Sequence, residues 1–191
     1  MLFPVMSVYA SEYDYSTPFL VGMAIGIYGL TQALLQIPFG YLSDRFGRKP
    51  ILILGLLIFF IGSVIAANTS NILLVVIGRA FQGGGAISAV LMAFLADSVN
   101  EENRAKANAF VGLQIGVAFM LSLLIGPIIS AKVGLQGLFW SIALLSILAI
   151  LIVLSLKHSP PIIYYKLSLK AFKEIMTKEL IALDFSVFSL H

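Results

Sequence analysis

The chain has 191 residues, of which 60% are hydrophobic and only 11% charged, with a mean hydropathy of +1.02 and a formal net charge of +3. A soluble domain carries about 25% charged residues, so folding in water would leave too much apolar surface exposed, and the solvent must be lipid. Cysteine is absent, which excludes disulfides and thiolate metal sites. The cations stand at the ends of apolar runs instead of clustering with aromatics on one face, which argues against nucleic acid as a partner.

A spanning helix needs ~20 apolar residues. Met1–Ala10 supplies half of that, lacks the basic start of a signal peptide, and reads as the outer half of a first helix or as a short interfacial segment, the former being favoured. Ser11–Thr17 is a polar loop. Ser16–Tyr41 is the first full span, in which Tyr28, Gln32 and Gln36 recur every four residues and share one face. That face should avoid lipid. It either lines a substrate path or holds helices together by hydrogen bonds. A charged turn, Gly40–Pro50, follows, with Gly40 and Gly47 available for tight packing or positive φ. Ile51–Ala67 is the second span, with Pro50 suited to its first turn.

Ile72–Ser98 is the third span and carries Arg79, Gln82 and Gly83-Gly84-Gly85, with Asp97 at its end. A cation inside a span costs at least ~2.5 kcal/mol unless it faces protein, water or a carboxylate. Arg79 therefore has either a functional role or an interhelical hydrogen bond to a carbonyl or glutamine. Asn100–Asn108 is a second charged loop. Ala109–Ala131 is the fourth span, with Gly126-Pro127 expected to kink it. Lys132–Gly137 turns the chain into a fifth span, Leu138–Leu156. Beyond Lys157, Tyr164–Leu183 repeats Leu169, Phe172, Met176 and Leu180 at helical spacing among cations, as a helix lying on a membrane surface does. Phe185–Leu190 is apolar again.

Placing the 40–50 turn in the cytoplasm puts ten of the twelve basic residues there, with Lys132 outside and Arg79 within a span. That bias sets the orientation. On charge alone, Arg45, Arg48 and Lys49 could be no more than anchors on the inner side.

The turn fits G-x-x-x-D-R-x-G-R-[RK] at every fixed position: Gly40, Asp44, Arg45, Gly47, Arg48 and Lys49. Arg79-Ala80-Phe81-Gln82-Gly83 fits R-x-x-Q-G, and Gly126-Pro127 fits a G-P pair in the next span. In this order, the motifs resemble those of the major facilitator superfamily, in particular its bacterial inner-membrane transporters, over nearly all of the chain. The third motif departs from the family pattern, with Ser122 and Ser130-Ala131 where glycines belong, which weakens the label of exporter.

The resemblance implies an all-α membrane protein, the six-helix N-terminal half of the major facilitator fold with helix one truncated. Residues 1–156 would form the transmembrane bundle, 157–184 a cytoplasmic connector with its amphipathic helix, and 185–191 the start of helix seven. Two three-helix repeats would be inverted relative to each other. It also implies roles. Asp44 would cap a helix of the other half, and Arg48 would pair with an acid at the inner end of helix four, where Asp97 stands. These residues would form a conformational latch, made in one state and broken in the other. Arg79, Gln82 and Gly83 become candidates for proton coupling. The expected partners are the lipid bilayer, a small-molecule substrate, protons, and the missing C-terminal half or a second chain. No cofactor, metal or enzyme site is expected. A fragment, a half-transporter and a membrane scaffold remain the competing readings.

Overall fold

The computed structural model describes residues 5–6, 8, 13–85 and 87–156. Most of Met1–Ala10, the amphipathic segment Tyr164–Leu183, and the rest of 157–191 lie outside the described residues.

Helix α1 spans Pro18–Phe46. It begins where it does because the Thr17 hydroxyl accepts from the Leu20 N–H at 3.2 Å and Pro18, with no N–H of its own, occupies the first turn. It does not stop at Tyr41, as the charge pattern suggested, but runs through most of the charged motif. The turn to α2 (Arg48–Ala67) shrinks to Gly47, whose φ of 92° suits glycine. Gly40 is helical, so the motif's two glycines do different things.

The expected third span is two helices, α3 (Ile72–Gly84) and α4 (Ser88–Ser98). Three successive glycines are poor helix formers. Close packing also holds the break in place: a Cβ on Gly85 would lie 2.6 Å from the Gly55 carbonyl of α2. Asn71 caps α3 through its side-chain oxygen, 2.9 Å from the Leu73 N–H.

The second charged loop is shorter than Asn100–Asn108. A 3-10 turn covers Glu101–Asn103, and α5 (Arg104–Ser155) starts immediately after it. Helix α5 comprises two arms divided at Gly134 (φ 69°, ψ −176°), and the helical backbone resumes at once on either side of it. Residues 111–118 line a groove with α4, and Val153 packs beside Phe39, Ile51 and Leu52. Leu135, Leu138 and Phe139 pack at the opposite end with Ala66, Ile72 and Val75. The arms are therefore antiparallel, and both ends of α5 lie near the Gly47 turn. Gly126 and Pro127 keep helical dihedrals, so the sharp change of direction falls at Gly134 and not at the proline.

Among the described residues, four helical segments are long and apolar enough to cross a membrane: Pro18–Phe46, Arg48–Ala67, Ile72–Ser98 and Glu101–Ser155. The last has 55 residues and contains the hairpin. In lipid, burying apolar side chains does little to drive helices together, and close van der Waals packing takes over. Gly62 and Gly78 show this between α2 and α3, where a Cβ on either would come within 2.7 Å of the other's carbonyl oxygen. Many large side chains accordingly face outward, including Phe19, Leu34 and Ile37 on α1.

Candidate functional site

Two polar assemblies stand out against this apolar background. The first is at the Gly47 turn. The sharp turn after α1 places Arg48 beneath the end of α4, where its Nε donates to Asp97 Oδ2 at 2.9 Å. Its Nη1 donates to the Ser43 hydroxyl at 2.7 Å and also contacts the Asp44 carboxylate. Ser43 in turn donates to the Gly40 carbonyl at 2.7 Å. One guanidinium therefore joins two carboxylates and a hydroxyl, using the fork that makes arginine different from lysine. The Arg48 side chain is 10% exposed, Asp97 26% and Asp44 57%, so the Asp97 arm of the pair is the better shielded from solvent.

Lys49 points elsewhere. Its Nζ donates to the carbonyls of Leu154 at 2.7 Å and Leu156 at 2.6 Å, the unsatisfied end of α5. Arg45 lies over the Phe46 ring, 5.5 Å from its centroid. The six motif positions thus separate into an ion-pair cluster, a clamp on the last helix and a glycine turn. Ser43 and the Lys49 clamp were not foreseen. Ser43 occupies a variable position of the motif, and the carbonyls that Lys49 meets belong to residues whose side chains carry no signal.

The second assembly lies in the middle of the bundle. Arg79 is 5% exposed. Its Nε donates to the Ala24 carbonyl at 3.2 Å and its Nη1 to Gln82 Oε1 at 2.8 Å, while its guanidinium carbon lies 4.4 Å from the centroid of the Tyr28 ring. Gln82 Nε2 donates to the Ser63 hydroxyl at 2.8 Å, tying α3 to α2. Gly83 lets this happen: a Cβ there would collide with the Tyr28 carbonyl and the Thr31 hydroxyl, so only glycine admits α1 so close. Tyr28, Gln32 and Gln82 line a cavity of about 500 Å³ whose remaining walls are largely apolar. Gln36 does not line it, but donates to the Ser88 hydroxyl at 2.9 Å, and Ser88 does.

Each expected site residue lies among the described residues, and the helix that Asp44 was expected to cap does not. Among the described residues Asp44 meets Arg48, not a helix N-terminus. Gly126 is buried, and Pro127 accepts at its carbonyl from the Ser130 hydroxyl at 3.0 Å. No group of His, Asp or Glu suited to a metal ion occurs among the described residues.

The sequence profile of the Major Facilitator Superfamily matches residues 1–189. The chain belongs to this superfamily. Its members are transporters and not enzymes, and with its long apolar helices the chain is a multi-pass membrane protein. It is 51% identical over 146 residues to the inner membrane transport protein YajR of Escherichia coli (strain K12), which covers 76% of this chain and 32% of that protein. It is 50% identical over 150 residues to an uncharacterized transporter of Buchnera aphidicola subsp. Schizaphis graminum, covering 78% of this chain and 38% of the relative. The class B tetracycline resistance protein of Escherichia coli is 31% identical over 137 residues, 70% of this chain and 33% of that protein. The aligned part of the chain thus spans about a third of these three superfamily members.

Proposed function

We propose that this chain is the N-terminal helical half of a proton-coupled carrier of a bacterial inner membrane that exports small amphipathic molecules. Residues 1–156 are the bundle, 157–184 the cytoplasmic connector and 185–191 the start of the next helix. The rest of the carrier is a C-terminal half or a second chain. Among the described residues nothing lies within 4 Å of where a Cβ would stand on Gly22, Gly26, Gly29, Gly112 and Gly116, which supports such a second bundle. The relative named for tetracycline resistance supports export.

The observation that carries the reading is the Arg48–Asp97 pair, 2.9 Å apart across 49 residues of sequence. It ties the α1–α2 turn to the end of α4. An ion pair between two helix ends is a contact that rocking of the bundle could make in one state and break in the other. With it intact, the inner ends of α1, α2 and α4 stay together. Arg79 remains cationic and does not itself carry the proton. Its part in coupling is to govern the charge of a carboxylate brought to it.

The absence of native cysteine makes this testable without knowing the substrate. A cysteine is introduced at Ser88, which faces the cavity. Its labelling by a membrane-impermeant thiol reagent is followed in inside-out vesicles. Asp97→Asn is expected to raise the labelling rate at least threefold. An unchanged rate, in protein that keeps its helical signal, refutes the latch.

A further inference from the structure

The membrane interior of the described chain contains one buried charge, and it is positive. Asp14, Asp44, Asp97, Glu101 and Glu102 all lie in a loop or a last helical turn, far from the middle of the bundle. Arg79 has no ion pair with any described residue. Its hydrogen bonds use Nε and Nη1, and Nη2 makes none to a described residue. The Tyr28 hydroxyl likewise makes none. Gln82 cannot swing away to compensate, because its amide is held at both ends, by Arg79 and by Ser63. A guanidinium fixed in this way, in surroundings of low polarity, has spare N–H donors and an uncompensated charge.

Tyr28 and Gln82 form the wall between that guanidinium and the 500 Å³ cavity. Their polar edges give the cavity one hydrophilic corner, which Gln32 and Ser146 extend, while Phe59, Leu91, Ile142 and Leu145 form the apolar remainder. This is the profile of a site for an amphipathic molecule with one polar end and an apolar body.

We propose that the cargo is an amphipathic organic anion, whose carboxylate is received at the Tyr28–Gln82 corner in front of the Arg79 charge and whose apolar body lies in the cavity. The sign of the charge follows from Coulomb's law at short range in a poorly polar medium, which favours an anion beside Arg79 and opposes a cation. The Tyr28 hydroxyl at the cavity wall can donate to the carboxylate, and Arg79 behind it acts through its charge rather than by direct contact. The assignment rests on the carrier reading above and deepens it by naming the class of cargo.

The test uses the purified chain in nanodiscs of neutral phosphatidylcholine, with three fluorescent probes that share one ring system: 2-naphthoate, 2-naphthamide and 2-naphthylmethylammonium. At pH 7, 2-naphthoate is expected to bind at least tenfold more tightly than the ammonium probe, with the amide between them. Arg79→Gln is expected to reduce naphthoate affinity to that of the amide, and Arg79→Lys to retain part of the preference. The comparison of probes on the unaltered chain decides the matter even if a variant fails to fold. Equal or tighter binding of the ammonium probe overturns the proposal, as does failure of all three to bind. So does an anion preference that survives Arg79→Gln. Any of these results leaves the carrier reading to the Ser88 labelling experiment, which can fail without any change in probe binding.

Discussion

Asp97→Asn tests whether the Arg48 cluster holds the bundle's inner end together in energetic terms. Removing one partner of a fully buried ion pair costs about 3–5 kcal/mol, and an exposed pair is worth about 0–1 kcal/mol. The pair here lies between those limits, with Arg48 10% and Asp97 26% exposed. Asp44 also stays in contact with the guanidinium when Asp97 is neutralised, so the cation is not left alone. A loss of about 2 kcal/mol follows from weighing those two limits. For a chain of this size that is a fall of roughly 4–8 °C in the melting temperature. The assay is thermal loss of helical circular dichroism in detergent for the unaltered chain, Asp97→Asn, Arg48→Gln and the double variant. A coupling energy of about 1–2 kcal/mol is expected from the cycle. Arg48→Lys should recover little of it, because an ammonium cannot serve Ser43, Asp44 and Asp97 through one planar fork. A coupling energy below about 0.5 kcal/mol, the usual scatter of independent sites, refutes the reasoning.

Gly83→Ala should destabilise the bundle by at least about 1–3 kcal/mol, because its methyl group meets the Tyr28 backbone carbonyl as well as the Thr31 hydroxyl, and the backbone cannot swing aside. Gly26→Ala on the same helix pair meets nothing within 4 Å and serves as the control, expected within about 0.5 kcal/mol of the parent. Melting curves of the two variants check both. Lys49→Gln should leave the Arg48 cluster intact but free the carbonyls of Leu154 and Leu156, so that amide exchange rises in the last turn of α5 and not in α4. Equal exchange in parent and variant would count against the clamp.

The resemblance carried by the motif at Gly40–Lys49 implied the Arg48–Asp97 pairing before any coordinates, whereas charge alone left Arg48 as a possible anchor at the membrane surface, and the two side chains do meet at 2.9 Å. Arg79 was equally conspicuous, since a cation within a span must find protein partners. What it would find was open: the foreseen interhelical bond occurs to the Ala24 carbonyl of α1, whereas the glutamine it meets, Gln82, lies on its own helix. The grouping of Tyr28, Gln32 and Gln36 on one face was readable from the four-residue spacing. The separation of Gln36 from the cavity was not, because spacing along one helix carries no information about where the neighbouring helix ends.

Composition by itself determined the class of this protein. With 60% hydrophobic residues and 11% charged, water is not a solvent in which the chain could fold, and helices are the structure left once each backbone group must be satisfied within its own segment. Only the tertiary structure decided where those helices turn and what their polar groups meet. Glycine permits a turn without requiring one: Gly47 and Gly134 reverse the chain, whereas Gly40 stays helical and Gly83 serves contact between helices. The choice among them depends on the backbones and side chains that pack against each position, such as Asp97 reaching Arg48 and Tyr28 covering Arg79. These contacts join residues about fifty positions apart, and local pattern in a sequence does not extend that far.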